Sequence, residues 1–188
     1  MTMDRISIAI LCGGRARRFG RDKSFFNYYG KPLYRYAYDE LAHLSDDIFL
    51  QCGKKDKHTY EVCSHNDDYL DIGPLGGIYS ALRHARRPRV FMIACDMPCI
   101  TKRFVTTLLE EQGDIVVPAW ENGYFEPLCA VYARTLAPLI EYKMLQGDYK
   151  IASLFDDVDV KKIKIEPLME RGVIPAGMFK NINYPSDL

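Results

Sequence analysis

Neither sign of charge is in excess in this chain, where 25 lysines and arginines balance 25 aspartates and glutamates. A chain so balanced has no global field to draw it onto nucleic acid or an anionic membrane, and any attraction for anions must be local. Long hydrophobic runs are missing too: no apolar stretch approaches the ~20 residues of a membrane span. The N-terminus lacks the basic region, long apolar core and small-residue cleavage site of a secretory signal. The expectation is a cytoplasmic protein with no nucleic-acid and no membrane partner. Histidine is scarce, with His43, His58, His65 and His84 scattered, and there is no HExxH and no CxxC. The six cysteines are spread over Cys12, Cys52, Cys63, Cys95, Cys99 and Cys129, several inside apolar runs, which reads as buried free thiols rather than a disulfide frame or a zinc site. No Ser-His-Asp or Cys-His set announces a protein nucleophile.

What the chain does have is apolar substance: of 188 residues, 48% are hydrophobic and 12% aromatic, enough to bury a substantial core in one domain spanning residues 1–188. Runs rich in Ile, Val and Phe alternate with segments of helical period, the pattern of βα units around a largely parallel sheet, so the fold class is α/β. Strands are expected at residues 6–11, 48–52, 60–63, 90–95, 115–118, 128–132 and 161–165. A helix is expected after Pro32, with Leu33, Tyr36, Ala37, Leu41 and Leu44 facing the core and Tyr34 and Tyr38 partly exposed. Another opens at Pro74 with Leu75, Ile78, Leu82 and Ala85 on one face, and a third follows the capping residue Thr101.

In open sheets of this kind ligands bind beyond the carboxyl ends of the strands. Three loops fall there. The first, "LCGGRARRFGRDKS" (11–24), joins Gly13, Gly14 and Gly20 to Arg15, Arg17, Arg18, Arg21 and Lys23. Glycines let backbone amides approach a ligand, and the cations suit a polyanion. The spacing fits neither the dinucleotide fingerprint nor the Walker loop. The second, "VFMIACDMP", sets Asp96 at a strand end, which suits magnesium held by one carboxylate together with substrate phosphates. The third, "GPLGG" (73–77), places Gly73 at a helix start where a ribose or phosphate is received by backbone and dipole. "GYFEP" (123–127) offers an aromatic pair either to an acceptor pocket or to a hairpin turn covering the core edge.

Taken in order, L-x-G-G-x-x-x-R-x-G-x-x-K, G-K-P-L, G-P-L-x-G, C-D-x-P and "NINYPSDL" closely resemble the molybdenum cofactor guanylyltransferases, from residue 8 to residue 188. The resemblance implies a Rossmann-like, three-layer α/β/α fold of the nucleotide-diphospho-sugar transferase type. It also implies GTP and molybdopterin as substrates, Mg2+ as cofactor, pyrophosphate as product, and transient contact with molybdenum-insertion proteins and molybdoenzyme chaperones. On the matching positions it places the nucleotide against the backbone of Leu11, Cys12, Gly13 and Gly14, with Lys23 and Arg18 on its phosphates and magnesium on Asp96. The family's acidic residue upstream of G-P-L falls on Asp67, with Asp68 and Asp71 close by, next to Gly73. Asn181 and Asn183 match the residues that hold the pterin. Cys12, Phe19 and Tyr184 depart from the family's alanine, methionine and threonine, and none of these departures removes a charge. Two other outcomes stay open: a nucleotidyltransferase of different base or acceptor, such as a cytidylyl or sugar-phosphate enzyme, and a nucleotide-binding module without turnover.

Overall fold

The computed structural model describes residues 6–13, 23–53, 61–175 and 177–182. Its centre is β1, Ile6–Leu11, buried along its whole length as expected of a strand covered on both faces. β4, Ile48–Cys52, and β6, Arg89–Ala94, flank it in parallel, and β5, Ser64–Asn66, extends the β4 side. Beyond β6 come β8, Cys129–Ala133, then β7, Ile115–Ala119, then β9, Val160–Lys164. The resulting order is β5-β4-β1-β6-β8-β7-β9. Only β8 runs against its neighbours, pairing antiparallel with both β6 and β7, so the sheet is mostly parallel as the pattern of runs required.

Alternation along β1 sorts the core into two. Ile8 and Ile10 face α1, Leu33–Leu41, α3, Lys102–Glu110, and α5, Ile165–Glu170, through Ala37, Leu41, Phe104, Leu108 and Leu168. Ala9 and Leu11 face α2, Pro74–His84, and α4, Ala137–Leu145, through Leu75, Ile78, Leu82 and Ile140. Helices on both faces make the three layers. Leu75, Ile78, Leu82 and Ala85 are all buried, and Thr101 caps α3 by accepting a hydrogen bond from the Phe104 amide at 3.3 Å.

Local expectations are corrected at the strand 60–63, at Tyr34 and Tyr36, and at the strand ends Cys95 and Ile165. The strand placed at 60–63 is β5 instead, an edge strand of polar Ser-His-Asn, joined to β4 by the Leu50 amide donating to the Cys63 carbonyl at 2.9 Å. Tyr34, not Tyr36, is the buried tyrosine of α1, at 3% exposure, because it shares the face of Ala37 and Leu41. Tyr36 is half-buried and donates its hydroxyl to the Tyr28 carbonyl at 2.6 Å. Pro32 precedes α1 as the end of a hairpin formed by β2, Asn27–Tyr28, and β3, Lys31–Pro32. Its two-residue turn places Tyr29 at φ 44° and Gly30 at φ 88°, the mirror-image turn that matches strand twist. Ile165 begins α5 rather than ending β9, and Cys95 lies just beyond β6.

Candidate nucleotide and acceptor site

The carboxyl ends of β4, β1 and β6 lie side by side, and the pairing continues one residue past the strands. The Cys12 amide donates to the Gln51 carbonyl at 2.8 Å and the Cys95 amide to the Leu11 carbonyl at 3.1 Å. This register lines up Cys12, Cys52 and Cys95, all buried, on one face. Burial, with Cys52 and Cys95 beside it, pushes the Cys12 thiol well up, so it behaves as a small apolar group beneath the site. Cys129 is buried as well, while Cys63 and Cys99 are exposed.

Immediately above, Gly13 and Gly53 approach each other over Asp67. A Cβ on Gly13 would stand 3.2 Å from the Gly53 amide nitrogen and 3.4 Å from Asp67 Oδ2, so only glycine leaves the gap open. Gly77, in the first turns of α2, faces the same carboxylate, with its Cβ direction 3.9 Å from Oδ1. Asp67 is fixed by its own amide, which donates to the Cys52 carbonyl at 2.7 Å, and by Gln51 Nε2, which donates to Oδ1 at 2.9 Å. Burial pushes its carboxyl above the ordinary range; the Gln51 amide pulls the other way, Asp68 adds to the rise and His84 opposes it.

Asp67, rather than its neighbours, is therefore the carboxylate among the glycines. Asp68 turns its amide to Ser80 Oγ at 2.8 Å and its side chain towards His84 Nε2 at 3.9 Å, and Asp71 sits at φ 63° in the turn before Gly73. Gly73 itself has φ 83° and caps α2 without a side chain, with Pro74 following. Sequence reasoning passed over Gln51 and His84. With Gln51 Nε2 given to Asp67, its Oε1 accepts from His84 Nδ1 at 3.1 Å, and His65 stacks on the His84 ring at 4.4 Å. A polar residue inside the apolar strand "IFLQC" was the available signal.

Asp96 follows β6 in a turn closed by the Met97 amide on the Ala94 carbonyl at 3.2 Å. It is half-buried, and its own carbonyl accepts from the Ile182 amide at 2.9 Å. The C-terminal segment thus returns to the carboxyl edge of the sheet, with exposed Asn181 one residue away. Among the described residues no three His, Cys, Asp or Glu side chains converge as a metal cage. A half-buried carboxylate at a strand end, as Asp96 is, fits a magnesium ion that takes its remaining ligands from phosphates and water. Gly14, Arg18 and Asn183 lie outside the described residues, as does the side chain of Lys23, whose backbone opens the turn Lys23–Phe25.

On the far side of β6, the aromatic pair of "GYFEP" does not line a pocket. Tyr124 is 73% exposed, and Phe125 packs edge-on against Phe155 at 5.1 Å, so the hairpin reading holds. The neighbours Trp120 and Glu126 are the ones that face inward, with Trp120 Nε1 donating to Glu126 Oε1 at 2.8 Å. No helix among the described residues is long and apolar enough to cross a membrane.

The chain is similar to known proteins along most of its length. Residues 8–162 match the family described as the MobA-like NTP transferase domain. A relative from Thermococcus gammatolerans, named a probable molybdenum cofactor guanylyltransferase, is 36% identical over 188 residues, covering 96% of this chain and 95% of its own. One of the same name from Thermococcus kodakarensis is 35% identical, covering 96% and 90%. The crystal structure of molybdopterin-guanine dinucleotide biosynthesis protein A from Archaeoglobus fulgidus superposes with a TM-score of 0.78 at 28% identity, covering 96% and 94%. The sheet and its flanking helices are of the nucleotide-diphospho-sugar transferase type.

Proposed function

Because this chain belongs to the MobA-like NTP transferase family and is a nucleotidyltransferase, we propose that it transfers GMP from GTP to the phosphate of molybdopterin, releasing pyrophosphate. One juxtaposition carries the proposal. The glycine cradle over Asp67 lies on one side of Asp96, and the C-terminal segment is tied to Asp96 from the other through Ile182. A nucleotide on the first side and an acceptor on the second would meet at Asp96.

In the proposed reaction an oxygen of the molybdopterin phosphate attacks the α-phosphorus of GTP. A new phosphoanhydride forms while the bond from the α-phosphorus to the bridging oxygen breaks, and that oxygen leaves with its electron pair as pyrophosphate. The attacking phosphate arrives ionised, so no protein nucleophile is needed. Transfer of this kind depends on alignment and charge neutralisation. The backbone at Leu11, Cys12 and Gly13 would hold the nucleotide, Lys23 and Arg18 would meet its phosphates, and Asp67 would accept hydrogen bonds from its donors. Asp96 would hold magnesium, which supplies further positive charge against the phosphates when bound. Asn181 and Asn183 would orient the acceptor, their amides giving and taking hydrogen bonds.

The purified protein, incubated with magnesium, molybdopterin and each of GTP, CTP, ATP and UTP in turn, should release pyrophosphate with GTP. Release with CTP in preference would move the chain to a cytidylyl activity, and release only with a sugar phosphate would change the acceptor. Binding of GTP with no release on any acceptor would make the chain a nucleotide-binding module.

A further inference from the structure

Gln51 uses both ends of its side-chain amide at the carboxyl edge of the sheet. Nε2 donates to Asp67 Oδ1 at 2.9 Å, which leaves Oε1 for His84. A carbonyl oxygen only accepts, so His84 Nδ1, 3.1 Å away, carries the hydrogen whatever charge the ring bears. The plane of that ring is set from two further sides. His65 of β5 stacks on it at 4.4 Å with 9° between the planes, and His65 in turn meets Phe49 of β4 edge-on at 5.1 Å. His84 Nε2 faces Asp68 Oδ1 at 3.9 Å. Side chains from β4, β5 and the loop before α2 thus converge on one imidazole of α2.

We propose, resting on the reading of the glycine gap as the nucleotide's seat, that His84 is a positioning residue: through Gln51 it keeps Asp67 Oδ1 tied and Oδ2 turned to Gly13 as a bare acceptor. The opposite arrangement shows why a donor on the ring matters. With its amide turned over, Gln51 would offer Oε1 to Asp67 and Nε2 to His84. Two acceptors would then meet at Asp67 unless Oδ1 carried a proton, and two donors would meet at His84 while Nδ1 keeps its hydrogen. Burial already pushes the Asp67 carboxyl up towards that proton, and the Gln51 hydrogen bond opposes it, with His84 adding to the opposition. The charges that act on Asp67 are Asp68, from its own loop, and His84, from α2. Behind them on the β5 side stand His65 and exposed Cys63, whose Sγ lies 3.6 Å from His65 Nε2. His84 is the one whose donor reaches Asp67 through Gln51.

The ligand-free full chain, labelled at its aspartate carboxyl carbons, would be titrated from acid to neutral pH by NMR to read the Asp67 midpoint directly. In His84→Phe a ring still stacks on His65 but the donor is gone, so the midpoint should move to higher pH than in the wild type. His84→Asn sets an amide N–H where Nδ1 stood and should bring the midpoint back. GTP affinity, read by calorimetry near neutrality, should fall about 2- to 10-fold in His84→Phe, the effect of one hydrogen bond, and recover in His84→Asn. In the wild type it should decline as pH falls through the Asp67 midpoint, where the bare acceptor is lost. Transfer kinetics should show the loss in KM for GTP with kcat held, because the contact serves ground state and transition state alike. If His84→Phe does not fold, His84→Leu removes the same donor and its midpoint decides. An unmoved midpoint overturns the proposal, and so does an equal loss of affinity in His84→Phe and His84→Asn, which would reduce His84 to packing. A moved midpoint with GTP binding but no transfer leaves the positioning standing and removes the activity. Transfer of GMP with midpoint and KM both unchanged leaves the activity standing and removes the positioning.

Discussion

Asp67→Asn should pull apart two properties that one carboxylate holds together. Burial raises the folded-state pKa of Asp67, so the native protein binds that proton more tightly than the unfolded chain does. The sign follows from linkage. Below the unfolded carboxylate value of about 3.9 the group is protonated in both states and contributes nothing. As pH rises through the higher folded value, ionisation destabilises the fold. Asparagine carries no such penalty, and with Oδ1 towards Gln51 it keeps the 2.9 Å hydrogen bond. The variant should therefore melt above the wild type at neutral pH, and the gap should close as pH falls towards about 4. Its Nδ2 would then stand where Oδ2 faces Gly13, a donor in place of a charged acceptor. A hydrogen bond to a charged group contributes about 1.5–3 kcal/mol, so GTP affinity should drop about 10- to 150-fold. Melting curves across that pH range and calorimetric titration with GTP measure both. A lower melting temperature at neutral pH together with weaker binding would refute the reasoning, because Asp67 would then support the fold rather than strain it.

Asp96→Asn should abolish pyrophosphate release while keeping the backbone carbonyl that receives Ile182, so thermal melting should still show a cooperatively folded variant. Thr101→Ala removes the cap on the Phe104 amide and should cost about 1 kcal/mol, lowering the melting temperature by about 2–4 °C with transfer unaffected. Asp47 accepts from the Ser7 hydroxyl and from Arg86 through its amide at 2.9 Å and Nε at 2.8 Å. Burial by itself raises the Asp47 pKa, but these bonds outweigh it and the folded value lies below the ordinary one. Its stabilisation is present above the unfolded value of about 3.9 and lost as pH falls through the lower folded value. Asp47→Asn should cost on the order of 1–3 kcal/mol near neutrality and flatten the acid limb of the stability curve, read by urea titration at several pH values.

The buried parallel strands were legible because a strand covered on both faces must be apolar throughout, and "ISIAIL" and "VFMIA" are. β5 was not, since an edge strand of Ser-His-Asn needs pairing on one side only and carries no apolar run. α4 escaped for a different reason: Ile140 and Met144 point inward, but Tyr142 and Leu145 are 62% and 70% exposed, so apolar residues ring the helix and blur its period. At the site, spacing brought out Gly13 and Asp96 as loop residues at strand ends. It could not choose among Asp67, Asp68 and Asp71, because the choice is made by the Asp67 amide on the Cys52 carbonyl, a contact between chain segments. Glu126 was hidden for the same kind of reason. In "GYFEP" the aromatics drew notice, whereas the hairpin turns the carboxylate inward and the tyrosine out.

The reversed strand β8 has a consequence for how this architecture diversifies. In an all-parallel sheet each loop at the carboxyl edge leads into a helix, and altering it disturbs the packing of a whole layer. Because β8 runs the other way, the connection from Ala119 to Cys129 leaves and re-enters the sheet at the same edge, between strands paired residue by residue through Val116 and Val131. Lengthening or shortening the hairpin at its exposed tip, beyond Glu121 whose amide donates to Glu166 of α5 at 3.0 Å, would leave the helices seated, and β8 stays in register through its second pairing with β6, from Arg89↔Ala133 to Ile93↔Cys129. Insertion at this one exposed tip would leave β1, β4 and β6, and the glycines at their carboxyl ends, in place.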